Sequence, residues 1–187
     1  MKKLISIFLL CVATQSHALE IAEVNLDEKI QLDKHQLVLN GAGIRKKFIV
    51  KVYVAALYLG EKTSAADAVL ADTGAKRMSF ILLRSVTGKQ VLDGINEDIL
   101  PNNTEEEMKV LEARLYTFEK MFVPVPEIKK GEIVNLDYIP GLGTRVSVNG
   151  VDKGHIEGAD FYRSLLKIWV GKKPVQSSLK KNVLGEE

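Results

Sequence analysis

The sequence predicts an α+β fold carried by a single domain. Three observations predict it. A long run of strand-forming residues extends from Ile44 to Leu59, a β-meander is punctuated by Pro140-Gly141-Leu142-Gly143 and Asn149-Gly150, and apolar stripes at helical spacing occupy 104–122 and 159–170.

The chain opens with a segment expected to be removed. Lys2 and Lys3 precede an apolar run from Leu4 to Ala13, and Ser16 and Ala18 stand at the −3 and −1 positions of a signal-peptidase site. The run is about ten residues against the ~20 needed to cross a bilayer, so a cleaved signal peptide over 1–18 is expected rather than an integral membrane segment. The single domain is then 19–187, in a periplasmic or secreted setting.

Residues 19–36 are mixed and suggest a short strand, and Gln36 to Leu39 reads as another, closed by a turn at Asn40-Gly41-Ala42-Gly43. Ile44 to Leu59 is rich in Phe, Ile, Val and Tyr, which suit a pleated, half-buried surface. One strand of that length is unusual, so a hairpin or bulge is expected near Lys46-Lys47. Ala65 to Leu70 reads as a short helix, Arg77 to Arg84 as a buried strand, and Thr87 to Leu100 as a helix ended by Pro101. Thr104 and Glu107 form a capping-box pattern ahead of a stripe of Met108, Leu111, Leu115, Phe118 and Phe122. Val134, Leu136 and Tyr138 alternate with polar residues in the first meander strand, and Asn149-Gly150 signals a type I′ hairpin. Ala159 to Val170 is the last long helix, with Gly171 as a C-cap candidate. The lysine-rich tail reads as a short surface helix.

Charge and cysteine content exclude several function classes. The chain has 26 basic and 24 acidic residues; the leader holds Lys2, Lys3 and no acid, so 19–187 is balanced at 24 and 24. A neutral domain has no electrostatic case for nucleic acid or for an anionic membrane surface. Cys11, the single cysteine, falls in the leader, which removes thiol chemistry, disulfides and cysteine-based metal sites. No phosphate-binding loop, dinucleotide fingerprint or nucleophile elbow is present, and no cofactor is expected. His35 and His155 have no partner at ligand spacing, and Glu105-Glu106-Glu107 at a helix start is explained by the macrodipole, so no metal site is expected.

One segment carries more information. Gly41-Ala42-Gly43 is followed by Arg45, then Lys47-Phe48-Ile49, and the run ends in Leu57-Tyr58-Leu59. This order resembles the second and third strands of the chalcone isomerase family, in its exported bacterial chalcone isomerase-like branch. Weaker similarity continues through Val86-Thr87-Gly88 and ends at Trp169-Val170-Gly171. The resemblance implies an open-faced β-sandwich, a large antiparallel sheet packed with helices, with a ligand cleft between them. It also implies that Arg45 matches the arginine that polarises substrate in the plant enzymes. The strand threonine of those enzymes falls at Tyr53, the helix tyrosine near Val91, the helix asparagine near Asp98 and the late threonine near Ile168. Ring closure needs the missing groups to stabilise developing charge, which argues against the plant reaction.

Arginine and tyrosine at these two positions resemble the fatty-acid-binding relatives of the family instead. There the pair holds a carboxylate, a role suited to a planar fork of donors that stays charged. Arg45 and Tyr53 are therefore the expected ligand-binding residues, and the expected partner is a small amphipathic molecule. On one unbroken strand they would stand about 26 Å apart, and a turn at Lys46-Lys47 would reduce this to roughly 17 Å. The site thus requires the chain to turn. Three readings stay open: a non-catalytic carrier or sensor of an amphipathic acid such as a fatty acid, an isomerase or intramolecular lyase using Arg45, and an interaction protein that keeps the fold alone. Oligomeric state is not legible in the sequence.

Overall fold

The computed structural model describes residues 19–186. The signal peptide expected over 1–18 lies outside the described residues. Two short strands, β1 (Leu19–Ile21) and β2 (Val24–Leu26), pair as a ribbon. The remaining strands form a seven-stranded antiparallel sheet in chain order. They are β3 (Lys29–Leu32), β4 (His35–Lys47), β5 (Val50–Leu59), β6 (Lys76–Leu82), β7 (Ile133–Ile139), β8 (Gly143–Val148) and β9 (Val151–Ile156). Helix α1 (Ala66–Ala71) joins β5 to β6; α2 (Gly88–Ile99) and α3 (Glu105–Phe122) join β6 to β7; α4 (Ala159–Val170) and α5 (Ser177–Val183) follow β9.

Alternation along β5 divides the core. Ala55, Leu57 and Leu59 face the main helical layer, with Phe118, Phe122, Phe161, Leu165 and Ile168. Val54, Ala56 and Tyr58 face the opposite side, where Leu26 of the ribbon joins Leu32, Leu37 and Leu39. One face of the sheet is therefore wrapped by helices and the other is only partly covered.

Several local readings hold. The α4 boundaries coincide with the predicted stripe. Thr104 and Glu107 make the reciprocal cap, with Glu107 N donating to Thr104 Oγ1 at 3.2 Å and Thr104 N to Glu107 Oε2 at 2.9 Å. Asn149 and Gly150 both take positive φ, 50° and 75°, as a type I′ turn needs.

Two readings are corrected and a third is refined. Asn40-Gly41-Ala42-Gly43 is not a turn but the middle of β4. Its glycines serve a close approach: a Cβ at Gly41 would lie 2.2 Å from the Asn182 carbonyl oxygen, and one at Gly43 2.7 Å from Asn182 Cβ. Asn40 is the extra residue of a β-bulge between Leu39 and Gly41, and its side chain bonds Val183 O and Thr63 N. Secondly, the lysine-rich tail is not a surface helix. Leu179, Val183 and Leu184 are buried as α5 lies against β4. The hairpin or bulge expected near Lys46-Lys47 is present in both forms: Ile44 to Leu59 spans two strands with a register shift at Arg45/Lys46, and the reversal itself falls just beyond, at Phe48-Ile49.

Candidate functional site

The β4–β5 hairpin builds the polar end of a cavity. Its register pairs Lys47 with Val50 and Lys46 with Lys51, then slips so that Arg45 lies opposite Tyr53, leaving Val52 as the extra residue of a bulge. Directly opposed residues on an antiparallel pair project to the same face, with Cα atoms about 4.5–5.5 Å apart. The expected separation of roughly 17 Å is therefore overturned. The turn two residues later, combined with the bulge, makes the two site residues immediate neighbours. Both also face the helical layer, as Tyr53 shares its parity with Ala55 and Leu57.

The cavity holds about 230 Å³ between sheet and helices. Arg45, Lys47, Val52 and Tyr53 line the hairpin end, Phe80, Leu82, Val134 and Leu136 the sheet floor, and Val91, Ile95 and Asp98 the α2 wall. Phe118 and Phe122 of α3 and Ile168 and Trp169 of α4 close it. Its exposed lining residues, Lys47, Gln90 and Glu97, mark the mouth. All the positions matched to plant catalytic residues, namely Arg45, Tyr53, Val91, Asp98 and Ile168, line this one cavity.

Tyr53 is fixed on two sides. Trp169 Nε1–H donates to its hydroxyl oxygen at 3.0 Å, and the Phe80 ring meets its ring edge-on at 5.2 Å. Phe80 also contacts Trp169, with ring centroids 4.7 Å apart. Burial pushes the Tyr53 phenol up to about 12, only partly offset by the Trp169 hydrogen bond and the Arg45 charge. The hydroxyl is thus neutral, and since its oxygen already accepts from Trp169, its proton is available to a ligand.

Arg45 is half-buried and is steadied from α5's N-terminus. Its Nη1 donates to the carbonyl of Lys46 and to Gln176 Oε1 at 3.5 Å. Gln176 in turn accepts from Lys46 N at 2.9 Å and donates to Ile44 O at 3.2 Å, bracketing the arginine's own strand. Among the described residues Arg45 forms no ion pair. Two acidic residues line the cavity, Glu97 at the mouth and the half-buried Asp98. Burial raises the Asp98 carboxyl above the usual value, while the Arg45 charge opposes the rise and Glu97 reinforces it.

Sequence reasoning missed Gln176 and Trp169. Gln176 lies 131 residues from Arg45 in the chain and carries no local signal. Trp169 read as part of a helical stripe, which it is, with its indole N–H turned to Tyr53. His35 and His155 lie on β4 and β9, and the described residues contain no group of His, Cys, Asp and Glu that could hold a metal ion. Glu107 is occupied by its capping box and by Lys167 Nζ at 2.8 Å.

The arrangement can do one thing readily. It offers a fixed positive charge and a neutral hydroxyl donor at one end of a mostly apolar chamber that also holds the Asp98 carboxyl, which suits an anionic headgroup with an apolar tail. Comparison with known proteins bears on the fold. A sequence model described as chalcone isomerase-like matches residues 18–185. Among solved structures, a fatty-acid binding protein of Arabidopsis thaliana superposes with a TM-score of 0.72 at 15% identity, covering 90% of this chain and 96% of that one. No curated protein sequence matches the chain.

Proposed function

We propose, from the premise that the chain belongs to the chalcone isomerase-like family, that it is a non-catalytic carrier or sensor of a small amphipathic carboxylate such as a fatty acid. Its fold is the open-faced β-sandwich of that family. The observation that carries the proposal is the direct opposition of Arg45 and Tyr53 at the polar end of an apolar cavity. The Arabidopsis protein's described binding of fatty acids supports the ligand class. The volume, about 230 Å³, lies below the ~300–1,000 Å³ of common ligand sites. That favours a short or medium chain, or a longer one whose end leaves through the mouth. The leader expected over 1–18 supports a place outside the cytoplasm, in the periplasm or beyond.

Native mass spectrometry of protein purified without detergent tests the proposal. A co-purified acid is expected, and Arg45→Ala should weaken binding of carboxylates at least tenfold. Absence of any bound acid, together with unchanged affinity in Arg45→Ala, would sink it.

A second reading is favoured by Asp98. A carboxylate with a raised pKa beside Arg45 is an acid–base group next to an electrophile, which an isomerase or intramolecular lyase would need. Turnover of a chalcone by the wild type, abolished in Asp98→Asn, would establish it.

A further inference from the structure

The hairpin that carries the site ends in an unusual tip. Phe48 and Ile49 are 92% and 94% exposed, the most exposed large apolar residues among those described. Nothing in the hairpin asks for them. Phe48 sits at φ 56°, in the left-handed region that glycine or asparagine occupies cheaply and a bulky side chain does not. Two-residue turns ordinarily take glycine, asparagine or aspartate. The tip therefore carries both exposed apolar area and backbone strain that the fold could shed with one substitution.

The domain's neutral total, which argues against an anionic membrane surface, hides a local imbalance: the surroundings of the tip are basic. Lys46, Lys47 and Lys51 are all exposed. Lys46 and Lys51 are directly opposed across the hairpin, an arrangement of like charges that destabilises a strand pair unless something anionic lies against it. Lys47 also lines the cavity mouth, next to Arg45. On the α2 side of that mouth stand Glu97 and Asp98, which an anionic surface would repel. Contact would thus be made by the tip and the Lys47 side of the mouth, with the Glu97 end of α2 held clear.

From this geometry we infer that the Phe48-Ile49 tip, ringed by Lys46, Lys47 and Lys51, docks the protein on an anionic lipid bilayer and sets the cavity mouth against it. The inference deepens the carrier reading and takes its purpose from it, since an amphipathic acid partitions into bilayers and must be collected there. A protein partner fits less well. Two protruding side chains fall far short of the ~1,000 Å² that a specific interface buries. A fluid bilayer needs no matching pocket, and each lysine near an anionic surface adds roughly fivefold to partitioning.

The test uses vesicles of phosphatidylcholine with phosphatidylglycerol at 3:1, and of phosphatidylcholine alone. The full chain is compared with Phe48→Gly/Ile49→Ser and with Lys46→Gln/Lys51→Gln, so that any contribution of residues outside the tip cancels. The wild type should sediment with the anionic vesicles, and the apolar-tip variant should partition at least tenfold less. The lysine variant should lose most of the preference for phosphatidylglycerol. Thermal stability of the glycine variant should be equal or higher, which excludes misfolding as the cause. Equal vesicle binding by wild type and tip variant, or none by either, would overturn the inference. So would a wild-type dimer that the tip variant dissolves, since the tip would then be a protein contact. Binding of a soluble fluorescent fatty-acid analogue without vesicles is measured alongside. Its absence in the wild type would refute the carrier reading while leaving the docking result to stand or fall on the vesicles.

Discussion

Arg45 and Tyr53 are cross-strand partners, placed opposite each other by a two-residue reversal and a one-residue bulge. Eight positions apart in the chain, they are placed to serve the proposed carboxylate as one donor pair. Removing either member should have distinguishable effects, because the two are held by different neighbours.

Tyr53→Phe is expected to lower carboxylate affinity by about tenfold, which is ~1.4 kcal/mol. It should also cost about 1–3 kcal/mol of stability, because the Trp169 indole N–H loses its acceptor in a buried setting. Arg45→Lys keeps the charge but not the fork, so affinity should fall by a similar factor with little change in stability. Calorimetric titration and urea denaturation of both variants check this. Equal stability loss in the two would contradict the assignment.

Asp98 already interacts with the Arg45 charge, so under the carrier reading it would compete with a ligand carboxylate for it. Asp98→Asn should therefore tighten binding of an anionic ligand by about 3–10-fold, on the order of 1 kcal/mol. The gain should shrink in high salt and be absent for the methyl ester of the same acid. Weaker binding in Asp98→Asn would mean that the carboxyl contacts the ligand instead of opposing it.

Gly41→Ala should loosen the site from a distance. The new Cβ would meet the Asn182 carbonyl oxygen at 2.2 Å and Gly185 N at 2.8 Å, both backbone atoms. Overpacking of this kind costs about 1–3 kcal/mol. A fall in Tm of several degrees is expected, with faster amide exchange confined to α5 and the hairpin. An unchanged Tm would show that α5 is not seated as described.

Alkaline pH should destabilise the fold in a defined window. Burial raises Tyr53 and Tyr58 from 10.0 to about 12. Their stabilising contribution is complete below pH 10, where both states are protonated. It is lost as pH rises from 10 toward 12, where the unfolded chain releases protons that the folded chain retains, at up to ~1.4 kcal/mol per pH unit for each wholly buried group. Lys76, lowered by burial, acts in the opposite sense, so the informative quantity is the difference between wild type and Tyr53→Phe. Urea midpoints across this window should fall less steeply in the variant. Parallel slopes would show that the Tyr53 phenol titrates normally.

Much of the fold was legible because its signals are local. The α4 stripe, the Thr104 cap and the Asn149-Gly150 turn each reside in a few adjacent residues. The failures share a cause too. Asn40-Gly41-Ala42-Gly43 has turn composition, but its glycines answer to Asn182 and Gly185, far along the chain. The reversal at Phe48-Ile49 is written in strand-forming residues without turn chemistry, so strand length points to a break near Lys46-Lys47 but not to its exact position. Arg45 and Tyr53 were found by resemblance. Gln176, Trp169 and the opposing role of Asp98 were not, since each depends on tertiary placement.

The bracket that Gln176 places around Arg45 has a consequence for the order of assembly. The sheet pairs each strand with the one just before it, so it can zip up as the chain emerges during synthesis. Gln176 and α5 come after every strand, and their partners in β4 are made long before. A nascent or proteolytically nicked chain can thus own a finished sheet while its guanidinium still swings free. Under the carrier reading, ligand binding should therefore await chain completion, and cleavage between Trp169 and Gln176 is expected to lower affinity. Limited proteolysis followed by binding measurements would read that loss directly, with retained affinity in the nicked protein as the outcome against it.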